Sequence, residues 1–156
     1  MSPSRSLLVD AAMLLALILI GVAGYKLSPL LLPKADVTAS PDAGCDLHTD
    51  ACSATLPGGG RLGFALTPRP IPVIAPLEIQ IELDGFEADK VAVDFAGVNM
   101  DMGFNRSVLA SEGPGRFTGQ TTLPVCVTGR MTWQATVLIE TGRTRIAVPF
   151  RFDAGK

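Results

Sequence analysis

Two periodicities divide the chain. From Leu7 to Tyr25 the residues are apolar on every face of a helix, Asp10 being the one side chain there charged at neutral pH. At the centre of this run lies Ala11-Ala-Met-Leu-Leu-Ala-Leu-Ile-Leu-Ile20. A helix of this length crosses a hydrocarbon core of about 30 Å when Asp10 sits at headgroup level. Pro33 to Gly44 is small, polar and punctuated by proline, the composition of a flexible tether. Beyond it the period changes to two, and no later segment carries a helical period. The expected fold is all-β behind one N-terminal helix.

The strands read from alternation. In Leu77-Glu-Ile-Gln-Ile-Glu-Leu83 the odd positions are aliphatic and the even ones polar, giving one buried and one wet face. Val91, Val93 and Phe95 repeat the pattern, and Asp84-Gly85 predicts a turn pairing the two strands as a hairpin. A second hairpin joins Trp133, Ala135, Val137 and Ile139 to Ile146, Val148, Phe150 and Phe152 across Thr141-Gly142-Arg143. Pro149 inside its second strand marks an edge or a bulge. Strands at Ala51 to Leu56, Arg61 to Leu66 and Arg116 to Leu123 bring the count to about seven, as in a β-sandwich. Leu56-Pro-Gly-Gly-Gly60 is a hairpin turn, and Pro68, Pro70, Pro72 and Pro76 mark a structural crossover.

The expected organisation is a membrane anchor over 1–27, a flexible linker over 28–44 and an extracytoplasmic sandwich over 45–156. The rival for the first segment is a signal peptide, with Arg5 as its basic region and cleavage at Val22-Ala23-Gly24. The apolar run reaches a full span and Leu30-Leu-Leu32 follows at the interface, which favours the anchor. Basic residues on the two sides of the run, Arg5 before it and Lys26 and Lys34 after it, give little orientation signal. Either way the rest of the chain lies outside the cytoplasm, and the expected location is a single-pass inner-membrane protein with a periplasmic domain.

Composition narrows the function. The 156 residues fit one core and an appendage. A net charge of −2, a pI near 5.3 and scattered Lys and Arg leave no basic field for nucleic acid. No enzyme constellation is present: His48 is the only histidine, no Gly-x-Ser-x-Gly occurs, and the glycine run lacks the Lys and Ser/Thr of a phosphate loop.

Three clusters carry chemistry. Cys45 and Cys52 bracket His48; in an oxidising compartment the simplest reading is a disulfide closing a short loop, against a soft metal site of two thiolates and an imidazole. Met100 and Met102 share one face of an extended chain, and two thioethers select copper(I). Core methionines are the alternative, but Met100 has the opposite parity to Val91, Val93 and Phe95. Cys126 and Met131 flank a turn at Thr128-Gly129, which adds a thiol and a thioether to the candidate ligands. Met131 also continues the buried series of Trp133, Ala135 and Val137, which favours core for that residue. One of the three cysteines is unpaired in a monomer, and spacing alone leaves the pairing open.

Gly115-Arg-Phe117, Leu123-Pro124 and Gly129-Arg-Met-Thr-Trp133-Gln-Ala-Thr-Val137 resemble the C-terminal half of FixH/YtkA-like proteins. These are membrane-anchored extracytoplasmic domains with a glycine-aromatic strand, a short turn and Gly-x-x-x-Trp. The resemblance covers the last third of the chain and the anchor. It implies an immunoglobulin-like sandwich and a part in copper delivery or respiratory-oxidase maturation, with a copper-dependent respiratory enzyme or its assembly factors as partner. It supplies no ligand set.

Overall fold

The computed structural model describes residues 3–31, 35–100, 103–124, 129–142 and 144–155, with the side chains of the N-terminal helix described from Val9 to Tyr25. The chain divides into two compact units, Met1–Lys34 and Ala35–Lys156.

The first unit is the helix α1, Pro3–Leu31. Leu14, Leu15, Leu17, Ile18, Leu19 and Ile20 are all exposed, so apolar side chains occupy every face and no single stripe could dock on a sheet. Among the described residues no helix is long and apolar enough to cross a membrane. The described side chains begin at Val9, two residues into the apolar run. The span expected from Leu7 to Tyr25 therefore rests on the sequence.

The second unit is a β-sandwich. Its strands are β1 Val37–Thr38, β2 Cys52–Thr55, β3 Arg61–Thr67, β4 Pro76–Asp84, β5 Lys90–Gly97, β6 Arg106–Val108, β7 Ala110–Gly113, β8 Arg116–Thr122, β9 Met131–Thr141 and β10 Thr144–Ala154. One sheet has the order β1-β10-β9-β5-β6 and the other β2-β3-β4-β8-β7. The seven strands expected from alternation are all present. The three unexpected ones, β1, β6 and β7, are two to four residues long, too short for a period to register.

Alternation determines what is buried. Leu77, Ile79, Ile81 and Leu83 of β4 face inward against Val91, Val93 and Phe95 of β5 and Trp133, Ala135, Val137 and Ile139 of β9. Phe64 of β3 meets Phe150 of β10 with ring centroids 4.9 Å apart, one contact by which the two sheets interlock. Trp133 is almost wholly buried among these residues.

The expected β9–β10 hairpin forms, with Val137 opposite Val148 and Trp133 opposite Phe152. Pro149 lies opposite Thr136 without a bulge. β1 pairs with β10 only at Ile146 and Ala147, so Pro149 stands past its end, where its missing N–H costs no ladder bond. The glycine run closes the β2–β3 hairpin, Leu56 N–H donating to the Gly60 carbonyl at 2.8 Å.

Two expectations change. β4 and β5 do not form a hairpin: β4 pairs with β3 and β8, whereas β5 pairs with β6 and β9 in the opposite sheet. Residues 85–89 are a crossover between the layers. Alternation reports that each strand buries one face, and two strands facing each other across a core share that signature with two strands side by side. The stretch expected as a linker over 28–44 is also placed differently. α1 continues to Leu31, and Asp36 to Asp42 lies on the sandwich. There β1 runs parallel to β10, Ala39 is buried, and Pro41 bridges to Ala54 of β2. The compact unit thus begins at Ala35, not at Cys45.

Candidate functional site

The antiparallel strands send alternate connections to each end of the sandwich. One end collects the disulfide loop 45–52 and the β3–β4, β5–β6 and β8–β9 connections. These hold the clusters singled out by side-chain chemistry.

Along β5, pairing with β9 extends one step past the strand, Val98 N–H donating to the Thr132 carbonyl at 2.9 Å. Val98, Asn99 and Met100 then leave the core and are exposed. Met100 is 43% exposed, in line with its parity, which is opposite to that of Val91, Val93 and Phe95. Met102 lies outside the described residues. The chain returns through Phe104, 80% exposed, with the Arg106 guanidinium 5.0 Å from its ring centroid.

Asn105 fastens this connection to its neighbour. Its carbonyl accepts from Phe95 N–H at 2.8 Å. Its side-chain amide donates to the Thr122 carbonyl at 3.2 Å, and its amide oxygen accepts from the Thr121 hydroxyl at 3.1 Å. Those two residues end β8, and the chain runs on from them into the connection that carries Cys126. Cys126 and Thr128 lie outside the described residues, so the expected turn at Thr128-Gly129 is described only at Gly129, whose φ is +88°. Met131 opens β9 with its side chain in the core, opposite Ala154. Its burial makes it a packing residue, the reading its parity favoured.

On the far side of β8, Ile74 N–H donates to the Leu123 carbonyl at 3.0 Å. Ile74 has φ +58° and is exposed. A β-branched residue rarely adopts that conformation, so the backbone here holds an apolar side chain outward against its local preference. Ile74 and Phe104 thus flank the end of β8. The sequence reading missed both. Ile74 is hidden in a proline-rich crossover, and Phe104 belongs to no alternating run.

Cys45 and Cys52 are joined by a disulfide. The loop it closes is pinned by His48, whose Nε2 donates to the Asp153 carbonyl at 2.7 Å. Arg69 Nη1 donates to the Thr49 carbonyl at 3.4 Å. With both thiols bonded and Nε2 engaged, this cluster offers no open ligand set. Asp153 also accepts from the Thr132 hydroxyl at 2.7 Å, tying the loop to the start of β9.

Among the described residues no group of three or more His, Cys, Asp or Glu side chains could hold a metal ion. A recess of about 590 Å³ lies at the opposite end, lined in part by Phe86, Asp89, Pro114 and Phe117. Of the two carboxylates that line it, Glu87 and Asp89, the second already accepts from Gly142 N–H at 2.6 Å.

The chain matches no family model, no curated protein and no solved structure.

Proposed function

We propose that the chain is a membrane-tethered, extracytoplasmic sandwich of the immunoglobulin-like kind. Its loop end holds copper(I) through Met100, Met102 and Cys126 for a copper-dependent respiratory enzyme or its assembly factors. It is an accessory protein and not an enzyme. The observation that carries the reading is the Asn105 staple. It ties Asn105, which closes the β5–β6 connection, to the end of β8, from which the chain runs on toward Cys126. Thioether and thiol donors together select copper(I) over harder ions.

Other features support the setting. The order β3-β4-β8-β7 against β6-β5-β9-β10 follows the immunoglobulin-like strand arrangement, with β2 added at one edge. A disulfide belongs to an oxidising compartment. Apolar side chains cover every face of α1 from Ala11 to Ile20. Its all-round apolar surface suits lipid better than water.

Titration of the full chain in detergent, its Cys45–Cys52 disulfide intact, with copper(I) against a chromogenic chelator tests the site. The chain is expected to withdraw copper from the chelator, and a Met100→Leu/Met102→Leu variant to withdraw far less. Failure to compete, or equal competition by the variant, would sink the copper reading.

A second reading is a metal-free domain that binds a membrane partner. The exposed Ile74, Val98 and Phe104 at the same end favour it. Cross-linking in native membranes separates the two, since this version retains one defined partner in the methionine double variant.

A further inference from the structure

The outward faces of the two sheets differ in kind. On β4 and β8 the outward residues Glu78, Gln80, Glu82, Asp84, Arg116, Thr118, Gln120 and Thr122 are polar, Pro76 at the start of β4 being the exception. On the other sheet one row runs straight across four strands through the registered pairs Ala147–Leu138, Leu138–Ala92 and Ala92–Val108. All four members are apolar although they face away from the core. Ala92 and Ala147 are 7% exposed each, lying low between neighbours, while Val108 stands out at 59%. From β10 to β6 the row therefore reads small, large, small, large.

That order is complementary to itself. A two-fold axis along the strands, between β9 and β5, sets Leu138 of one copy over Ala92 of the other and Val108 over Ala147. Each projecting side chain meets a depression. Sheets related in this way pack face to face about 10 Å apart with their strands nearly aligned. The charges obey the same operator. In the next row Glu140 and Lys90 are register partners, and the axis sets each over the other type in the second copy. Glu140 already accepts from Arg145 at 2.7 Å through Oε1, and no ion pair of Lys90 occurs among the described residues. On the other side of the apolar row, Thr136 comes over Asp94, a hydroxyl against a carboxylate.

We infer that the outward face of β10-β9-β5-β6 is an isologous interface whose occupant is a second copy of this chain. An isologous contact requires one patch to fit itself, and both the alternation of size and the placing of charge satisfy that requirement. The outer face of the other sheet carries a comparable register pair of opposite charge, Glu82 and Arg116, but no apolar row of alternating size beside it.

The test uses the full chain in detergent with copper removed by chelator. Light scattering should give the protein mass of two chains. Ala92→Glu puts a carboxylate at the centre of the contact, where it would be buried without a partner, and should raise the dimer dissociation constant more than about tenfold. Gln80→Lys on the other sheet should leave it unchanged.

A second measurement does not depend on a destabilising change. Val108 and Ala147 are three strand spacings apart within one chain, about 14 Å, beyond the reach of a disulfide. In a Cys126→Ser background, the double variant Val108→Cys/Ala147→Cys should oxidise to a covalent dimer, and neither single variant should. A monomeric wild-type chain overturns the inference. So does a dimer that survives Ala92→Glu, which would place the contact on α1 or elsewhere, and so does a double-cysteine chain that stays monomeric. Copper is absent throughout, so these outcomes are independent of the copper reading.

Discussion

Both ends of the sandwich use glycines with positive φ, but they differ in the length of their connections and in how these are fastened. At one end the connections are tight and glycine-set: Gly58, Gly59, Gly85, Gly115 and Gly142 all have positive φ. At Gly115 an added Cβ would overlap the Leu83 carbonyl oxygen, while Leu83 N–H donates to the Gly115 carbonyl at 2.7 Å. The backbone there has one permitted course. At the other end the connections are longer and are held by side chains: the disulfide, His48 on Asp153 and Asn105 on the end of β8. Phe104 and Ile74 project from these connections as exposed apolar side chains. A rigid frame with loops fixed at a few points is the usual setting of a binding site.

Substitutions at the two ends should therefore have unequal consequences for stability. Gly115→Ala combines a strained positive φ with a clash against backbone and should lower the unfolding free energy by about 3 kcal/mol. Chemical unfolding followed by the fluorescence of Trp133, the only tryptophan, measures it. A loss below about 1 kcal/mol would show that the turn end is not rigid in the sense argued.

Removing the disulfide with Cys45→Ala/Cys52→Ala frees a loop with a sequence separation of 7 and should cost about 2.5 kcal/mol by the loop-entropy relation. The same unfolding experiment checks it. An unchanged midpoint would mean that His48 and Arg69 hold the loop without the bond.

Phe104→Ser, at an exposed side chain of the loop end, should change stability by less than about 0.5 kcal/mol. A larger loss would make Phe104 part of the frame.

What the sequence made legible follows the same division. The long strands announce themselves because each buries alternate residues over several pairs, as β4 and β9 do. The β9–β10 hairpin was readable because a Thr-Gly turn joins two such runs. Sheet membership was not readable, since alternation in β4 and β5 is the same whether the strands lie side by side or face each other. β1 was hidden because two residues carry no period, and its neighbours Pro41, Asp42 and Gly44 have the composition of a tether.

At the site, the disulfide and the exposure of Met100 were legible from compartment chemistry and parity. Met131 followed the parity of its strand into the core. The role of Asn105 was not, because a bridge between two connections depends on which strands end together. Ile74 was masked by its prolines.

The central claim is that the loop end offers a sulfur site for copper(I). Copper-edge X-ray absorption of the copper(I)-loaded full chain, with the disulfide intact, tests it most directly. The account predicts a first coordination shell of sulfur, reduced in number by Cys126→Ser and lost in Met100→Leu/Met102→Leu. A shell of nitrogen and oxygen, or a sulfur shell unchanged in both variants, would contradict it.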